Sequence, residues 1–360
     1  CAVMVLLMAI IGAMTRLTGS GLSMVEWRPY TGMLPPLDHA EWERVFALYR
    51  NTPEFRLKNM HMDLAGFQQI FFLEWLHRLW GQLASLVYAV PFLWFMTRCR
   101  IPGRLKLWLA ALLALGGLQG LMGWYMVKSG LADRPDVSHF RLAAHLLLAL
   151  ALFAGLVWTA MDVRPGAPAL PASPPKAPLP RRHGWLCLGL VVLTIAWGAF
   201  VAGLDAGFAW NTFPLMGGHW LAPEALAGNI LENRAMVQFT HRWLAILAAL
   251  VTLAWAWRVS AIPALRPAAI VLKTAVLVQV ALGISTLIMA VPVSLATAHQ
   301  AGAFIVVAML VRTLHGLQTV SLTCPAEPAV ARQVPGTPVA PKLRSSEGGR
   351  STGPECTSGT

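Results

Sequence analysis

Four histidines lie within apolar segments that are long enough to cross a membrane: His77, His145, His241 and His299. Because an imidazole is costly to place inside a lipid bilayer, four of them at matching positions indicate metal ligands. A structural zinc ion needs four nearby ligands, whereas a haem iron takes one imidazole on each side. The set therefore predicts two haem irons, each bound by two histidines. The alternatives are polar packing between helices and a proton path.

The composition is typical of a membrane protein with several spans. Hydrophobic residues make up 56% of the 360 residues, charged residues make up 12%, and the mean hydropathy is +0.59. The formal net charge is +12, but the Lys and Arg residues are spread through loops and tails. They are not gathered with aromatic residues on one face, so no nucleic-acid partner is expected.

Eight apolar segments predict an all-α membrane protein, with eight transmembrane helices arranged as two similar four-helix bundles. The segments are residues 1–15, 69–97, 105–127, 140–160, 185–204, 236–257, 267–290 and 294–314. The first segment is short. Because the sequence starts at Cys1 without a charged flank, we expect part of this span to be missing.

Proline-rich residues separate two halves of the chain. Residues 161–184 are predicted to form a cytoplasmic linker between an N-terminal half, residues 1–160, and a C-terminal half, residues 185–314. Residues 315–360 are rich in Pro, Ser, Thr and Gly and have too little apolar surface to fold. We predict that this tail is disordered.

The positions of the cations predict the orientation in the membrane. Lys and Arg cluster after the second and fourth spans, at Arg98, Arg100, Arg104, Lys106, Arg164, Lys176, Arg181 and Arg182. Since cytoplasmic loops carry the excess of Lys and Arg, both termini are predicted to be cytoplasmic. The absence of a targeting segment in this sequence favours a bacterial inner membrane over a mitochondrial one.

The two halves repeat one pattern of residues. Matching positions are Gly12 and Gly198, His77-Arg78 and His241-Arg242, Gln119 with Gly123 and Gln279 with Gly283, and Ala144-His145 and Ala298-His299. A duplicated four-helix unit is the simplest explanation of this repeat.

One acidic residue distinguishes the halves. Glu74 is the only acidic residue in the predicted spans, and it precedes His77 by three residues on the same helix face, whereas the second half has Gln238 at the matching place. A carboxylate beside an iron site can accept and deliver protons, but an amide cannot. The first half is therefore predicted to react and the second to hold a stable redox centre. The alternative for Glu74 is a salt bridge to Arg78.

Several motifs together resemble those of the haem A synthase family, and the resemblance covers nearly all of residues 1–314. The motifs are residues 15–23 (TRLTGSGLS), 74–78 (EWLHR), 211–216 (NTFPLM), 238–242 (QFTHR) and 298–300 (AHQ). The resemblance implies oxidation of the C8 methyl group of haem O to a formyl group, which gives haem A for cytochrome c oxidase.

The resemblance also implies a role for each site residue. His241 and His299 would hold a permanent haem b, whereas His77 and His145 would bind the substrate, haem O, beside Glu74 as the catalytic carboxylate. Implied partners are haem O synthase, cytochrome oxidase assembly factors and an unidentified electron-transfer partner. Because this chain lacks the cysteine pair that some members have in the first outer loop, it resembles the branch found in alphaproteobacteria and mitochondria.

The sequence leaves open the role of two arginines and the choice between two functions. Arg78 and Arg242 are candidates for pairing with haem propionates, but an arginine near a helix end can equally contact lipid headgroups. The alternative function is a di-haem b-type membrane cytochrome that transfers electrons without modifying its haem. Such a protein would share all four histidine ligands.

Overall fold

The structure is a computed structural model that describes residues 1–26, 33–98, 101–131, 137–164 and 179–323. The regular secondary structure of this part of the chain is helical, apart from an isolated bridge between Met216 and His219. Its α-helices are α1 Ala2–Leu17, α2 His39–Arg50, α3 Pro53–Lys58, α4 Leu64–Arg98, α5 Gly103–Gly130, α6 His139–Asp162, α7 Leu179–Gly203, α8 Arg234–Val259, α9 Arg266–Ile288 and α10 Val293–Thr323.

Seven helices, α4 to α10, are long and apolar enough to cross a bilayer. The chain is therefore an all-α, multi-pass membrane protein, as its composition predicts. Helix α1 corresponds to the first predicted span and is apolar, but its 16 residues are fewer than the ~20 that a complete crossing needs.

Three helices extend well beyond the predicted spans. Helix α7 begins at Leu179 rather than at residue 185, so residues 179–184 of the predicted linker are helical. Helix α4 begins at Leu64 rather than at residue 69, because its first turns pack against α2. Helix α10 continues to Thr323, and Leu314 and Leu317 are buried in the same cluster as Leu265. Residues 315–323 of the predicted disordered tail are therefore helical. The rest of that tail, and residues 165–178 of the predicted linker, lie outside the described residues.

The helices that carry the histidines are held apart by helices that do not. Helices α1 and α5 each pack against both α4 and α6, and α7 and α9 each pack against both α8 and α10. Extensive contacts between α4 and α6, or between α8 and α10, are absent from the described part of the chain. Helices α6 and α10 also pack together, where the ring centroids of Phe153 and Phe304 lie 5.2 Å apart.

An aromatic cluster fixes the segment between α1 and α4 to the start of α4. Trp42, Phe46 and Tyr49 of α2 pack against Phe67 and Phe71 of α4, and all five side chains are buried. Burial raises the pKa of Tyr49, so its hydroxyl stays protonated and can hold polar neighbours within this apolar cluster. The segment between the first two predicted spans thus has a folded core of its own.

Candidate haem-binding site

The structure brings the four histidines together as the two predicted pairs. His77 on α4 and His145 on α6 are close enough to interact electrostatically, and so are His241 on α8 and His299 on α10. All four side chains are half-buried. Because the helices of each pair do not pack directly, each half has two neighbouring imidazoles without close contact between their helix backbones.

Hydrogen bonds leave specific nitrogen atoms of these rings available. Nδ1 of His241 donates to the carbonyl oxygen of Thr194 on α7, at 3.1 Å. A ring that donates from Nδ1 keeps the lone pair of Nε2 for a metal, as in many metal-bound histidines. In the first half, Nδ1 of His77 and Nδ1 of His145 are buried without a hydrogen-bond partner.

Two glutamines contact the second histidine of each pair. Nε2 of Gln119 donates to Nε2 of His145 at 3.3 Å, and Nε2 of Gln279 lies 3.2 Å from Nδ1 of His299. Gln279 also donates to the backbone oxygen of His299, at 2.9 Å. The two glutamines occupy matching positions in the sequence repeat, so each half has a glutamine in contact with its second histidine.

The donor set fits haem better than a bare metal ion. The described residues contain no cluster of three or more His, Cys, Asp and Glu side chains that could complete a metal coordination shell. A haem iron already has four porphyrin nitrogens and needs only two axial ligands, which a pair of neutral imidazoles supplies. His77 and His145, whose Nδ1 atoms are buried without a hydrogen-bond partner, are one such pair of imidazoles.

Glu74 forms a buried salt bridge with Arg78, which is the alternative that the sequence left open. The Glu74 side chain is buried, and its Oε1 accepts from Nη2 of Arg78 at 2.5 Å. Its Oε2 accepts from the Ser23 hydroxyl at 2.7 Å and from the Met24 backbone N–H at 2.8 Å. The carboxylate therefore connects α4 to the chain that follows α1.

Gln238 occupies the equivalent position in the second half and makes equivalent contacts. Its Oε1 accepts from Nη2 of Arg242 at 2.9 Å. Its Nε2 donates to the backbone oxygens of Ala206 and Ala209, at 2.8 and 2.6 Å. The amide thus connects α8 to the chain that follows α7, and the two halves differ here in charge but not in architecture.

The two arginines proposed as propionate partners bind loop carbonyls in the structure. Arg78 donates to the oxygen of Met24 at 2.9 Å, and Arg242 donates to the oxygens of Trp210 and Thr212, at 2.6 and 2.7 Å. The sequence alone does not reveal these contacts. The available signal is that Met24 and Trp210 directly adjoin two of the motifs, residues 15–23 and 211–216.

Arg16, at the end of α1, forms a salt bridge across the two halves. Its Nη2 lies 3.1 Å from Oδ1 of Asp205, which follows α7. Nearer the middle of α1, Nε2 of Gln300 on α10 donates to the backbone oxygen of Ala9, at 2.8 Å. The first helix is therefore fixed to the second half as well as to its own.

Comparison with known proteins places this arrangement in a family. The family model for cytochrome oxidase assembly proteins matches residues 1–311. The chain is similar to heme A synthase of Rhodospirillum centenum, with 51% identity over 88% of this chain and 86% of the relative. It is also similar to heme A synthase of Maricaulis maris, with 46% identity over 84% of this chain and 90% of the relative. The chain therefore belongs to the cytochrome oxidase assembly protein family.

Proposed function

We propose that this protein is a haem A synthase, which oxidises the C8 methyl group of haem O to a formyl group to give haem A for cytochrome c oxidase. The observation that carries this proposal is the similarity, over most of both chains, to relatives named heme A synthase. The two neighbouring histidine pairs support it, since the reaction requires a haem substrate and a route for electrons.

We propose that eight helices span the membrane as two similar four-helix bundles. One bundle contains α1, α4, α5 and α6, and the other contains α7 to α10. In support, each set forms a closed ring of contacts in which the histidine-bearing helices lie diagonally opposite. The excess of cations after α4 and after α6 supports cytoplasmic termini and insertion in a bacterial inner membrane.

His241 and His299 are the proposed axial ligands of a permanent haem b. The hydrogen bond from Nδ1 of His241 to Thr194 supports Nε2 as its ligand atom. When bound, haem b supplies a one-electron redox centre in the second half. His77 and His145 are the proposed ligands of the substrate haem O in the first half.

Glu74 is the proposed proton acceptor for the reaction. Oxidation of a methyl group to a formyl group removes hydrogen from carbon, and each proton released needs an acceptor near the substrate. Glu74 precedes His77 by three residues, so both side chains project from neighbouring positions on α4. The carboxylate accepts hydrogen bonds from Arg78, Ser23 and Met24, and its two oxygens together offer about four lone-pair positions.

One observation favours the di-haem cytochrome as the second candidate function. Arg78, Ser23 and Met24 all donate hydrogen bonds to the Glu74 carboxylate. These bonds give a buried carboxylate at this position a structural role that does not require catalysis. Without a catalytic carboxylate, the remaining features of the site are compatible with electron transfer alone.

Extraction of the haems from the purified protein, followed by chromatography, separates these two functions. We expect protein from a host that makes haem O to contain haem B together with haem O or haem A, because one site holds a cofactor and the other a substrate. Protein from a host without haem O synthase is the control and should contain haem B alone. Haem B alone from both hosts would support the cytochrome and contradict the synthase.

A further inference from the structure

Each of the four histidine rings lies against a glycine of a neighbouring helix. A methyl group added to the glycine would lie within 3.2 Å of Cε1 of the ring in every case. The distances are 2.8 Å for Gly12 and His77, 3.2 Å for Gly123 and His145, 3.1 Å for Gly198 and His241, and 2.8 Å for Gly283 and His299. The contacts join α1 to α4, α5 to α6, α7 to α8 and α9 to α10. We call these four residues the ring-contacting glycines.

The rings present the same edge to all four glycines. In each contact Cε1 is the ring atom nearest to the added methyl position, Nδ1 is second and Nε2 is third. For His241, for example, these distances are 3.1, 3.6 and 3.8 Å. Four rings on four different helices therefore turn the same edge, with Cε1 at its centre, toward the neighbouring helix.

Other helical glycines also lie close to neighbouring side chains, such as Gly155 to Leu112 and Gly184 to Trp255, but the four glycines beside the paired histidines all meet the same ring atom. Gly117 and Gly120 on α5, and Gly189 on α7, have open space where a side chain would be. Two residues of α7 contact the His241 ring. The carbonyl oxygen of Thr194 accepts a hydrogen bond from Nδ1, and one helical turn later Gly198 leaves space for Cε1. The position of the glycine is therefore matched to the ring and not merely to the neighbouring helix.

We propose that the ring-contacting glycines are positioning residues, which set the rotation of each imidazole and so the direction in which its ligating nitrogen meets the haem iron. This inference rests on the proposed haem ligation. A methyl group at 2.8 Å from Cε1 cannot be accommodated without movement, so the ring must turn or the helices must separate. Since the relative planes of two axial imidazoles determine the magnetic anisotropy of a low-spin ferric haem, such a rotation is measurable.

The test uses Gly198→Ala and Gly283→Ala in the full-length protein, with Gly189→Ala as the control. Gly189 lies on the same helix as Gly198, and a methyl group there meets nothing within 4 Å. Electron paramagnetic resonance of the oxidised, haem-loaded proteins should show shifted g-values for Gly198→Ala and Gly283→Ala, but wild-type values for Gly189→Ala. Wild-type g-values in all three variants, at full haem content, would overturn the inference. A wild-type protein without haem would instead contradict the proposed function.

A second measurement covers variants that fold poorly or bind no haem. Gly198→Ala should give the haem-free protein a lower thermal unfolding temperature than Gly189→Ala does, because both replace a helical glycine but only the methyl group at residue 198 contacts the His241 ring. In a His241→Ala background the ring is absent, so the same substitution should have little further effect. An equal loss of stability in both backgrounds would mean that Gly198 serves helix packing rather than ring position, and would overturn the inference.

Discussion

His241→Met and His299→Met should each lower the haem b content of the purified protein and shift the absorption spectrum of the haem that remains. The two rings are neighbours, and His241 holds the lone pair of Nε2 free by donating from Nδ1 to Thr194. A methionine sulfur in place of one imidazole changes the axial field and raises the reduction potential of a haem iron. The two substitutions should have similar effects because they remove the two ligands of one iron.

The control for this prediction is His219→Met, at an exposed position between α7 and α8. It should retain both the haem content and the spectrum of the wild type. His77→Met should leave the haem b spectrum intact, since His77 belongs to the other pair. An unchanged haem b spectrum in His241→Met or His299→Met would contradict the assignment of these residues as ligands.

Glu74→Gln should leave haem bound but stop the formation of haem A. An amide cannot accept a proton, and the loss of a general base typically slows a reaction by ~10²–10⁴-fold. Gln238 supports retention of the fold, because an amide at the equivalent place still pairs with its arginine and holds the neighbouring chain. The measurement is haem A formed per protein in membranes, beside the haem content of the purified variant.

Ser23→Ala separates proton transfer from the structural role of Glu74. This substitution removes the hydrogen bond from the Ser23 hydroxyl to Oε2 and leaves the carboxylate and its pairing with Arg78 in place. If Glu74 is catalytic, Ser23→Ala should keep most of the haem A formation that Glu74→Gln loses. Haem A formation at the wild-type level in Glu74→Gln would remove the catalytic role. Equal losses in the two variants, with equal losses of thermal stability, would assign Glu74 a purely structural role.

The prediction of two histidine pairs rests on two simple signals in the sequence. Each histidine lies in an apolar segment, and each has a counterpart in the sequence repeat. The same repeat contains Gly12, Gly123, Gly198 and Gly283, but a repeat shows only that positions correspond. Their contacts with the rings depend on how neighbouring helices pack, which no local pattern specifies.

The contacts of Glu74 were only partly predictable. The salt bridge to Arg78 follows from a spacing of four residues on one helix, which brings two side chains together. The bonds to Ser23 and Met24 join residues about fifty positions apart and depend on the fold of the chain between α1 and α4. Sequence therefore identified an unusual carboxylate but not the full set of groups that hold it.

The extra helices and the longer last helix were missed for a related reason. Helix α2 has a polar average composition, and its core consists of the scattered aromatic residues Trp42, Phe46 and Tyr49, which meet Phe67 and Phe71 only in the folded protein. Helix α10 continues past residue 314 because Leu314 and Leu317 find partners around Leu265. Long-range packing, rather than local propensity, sets these boundaries.

The most direct test is a cryo-electron microscopy structure of the protein loaded with haem. We predict one iron between His241 and His299 and a second between His77 and His145, with Nε2 of His241 toward the metal and each ring still in contact with its glycine. Density that places the two histidines of either pair on different groups, or a single haem bound outside both pairs, would contradict the account.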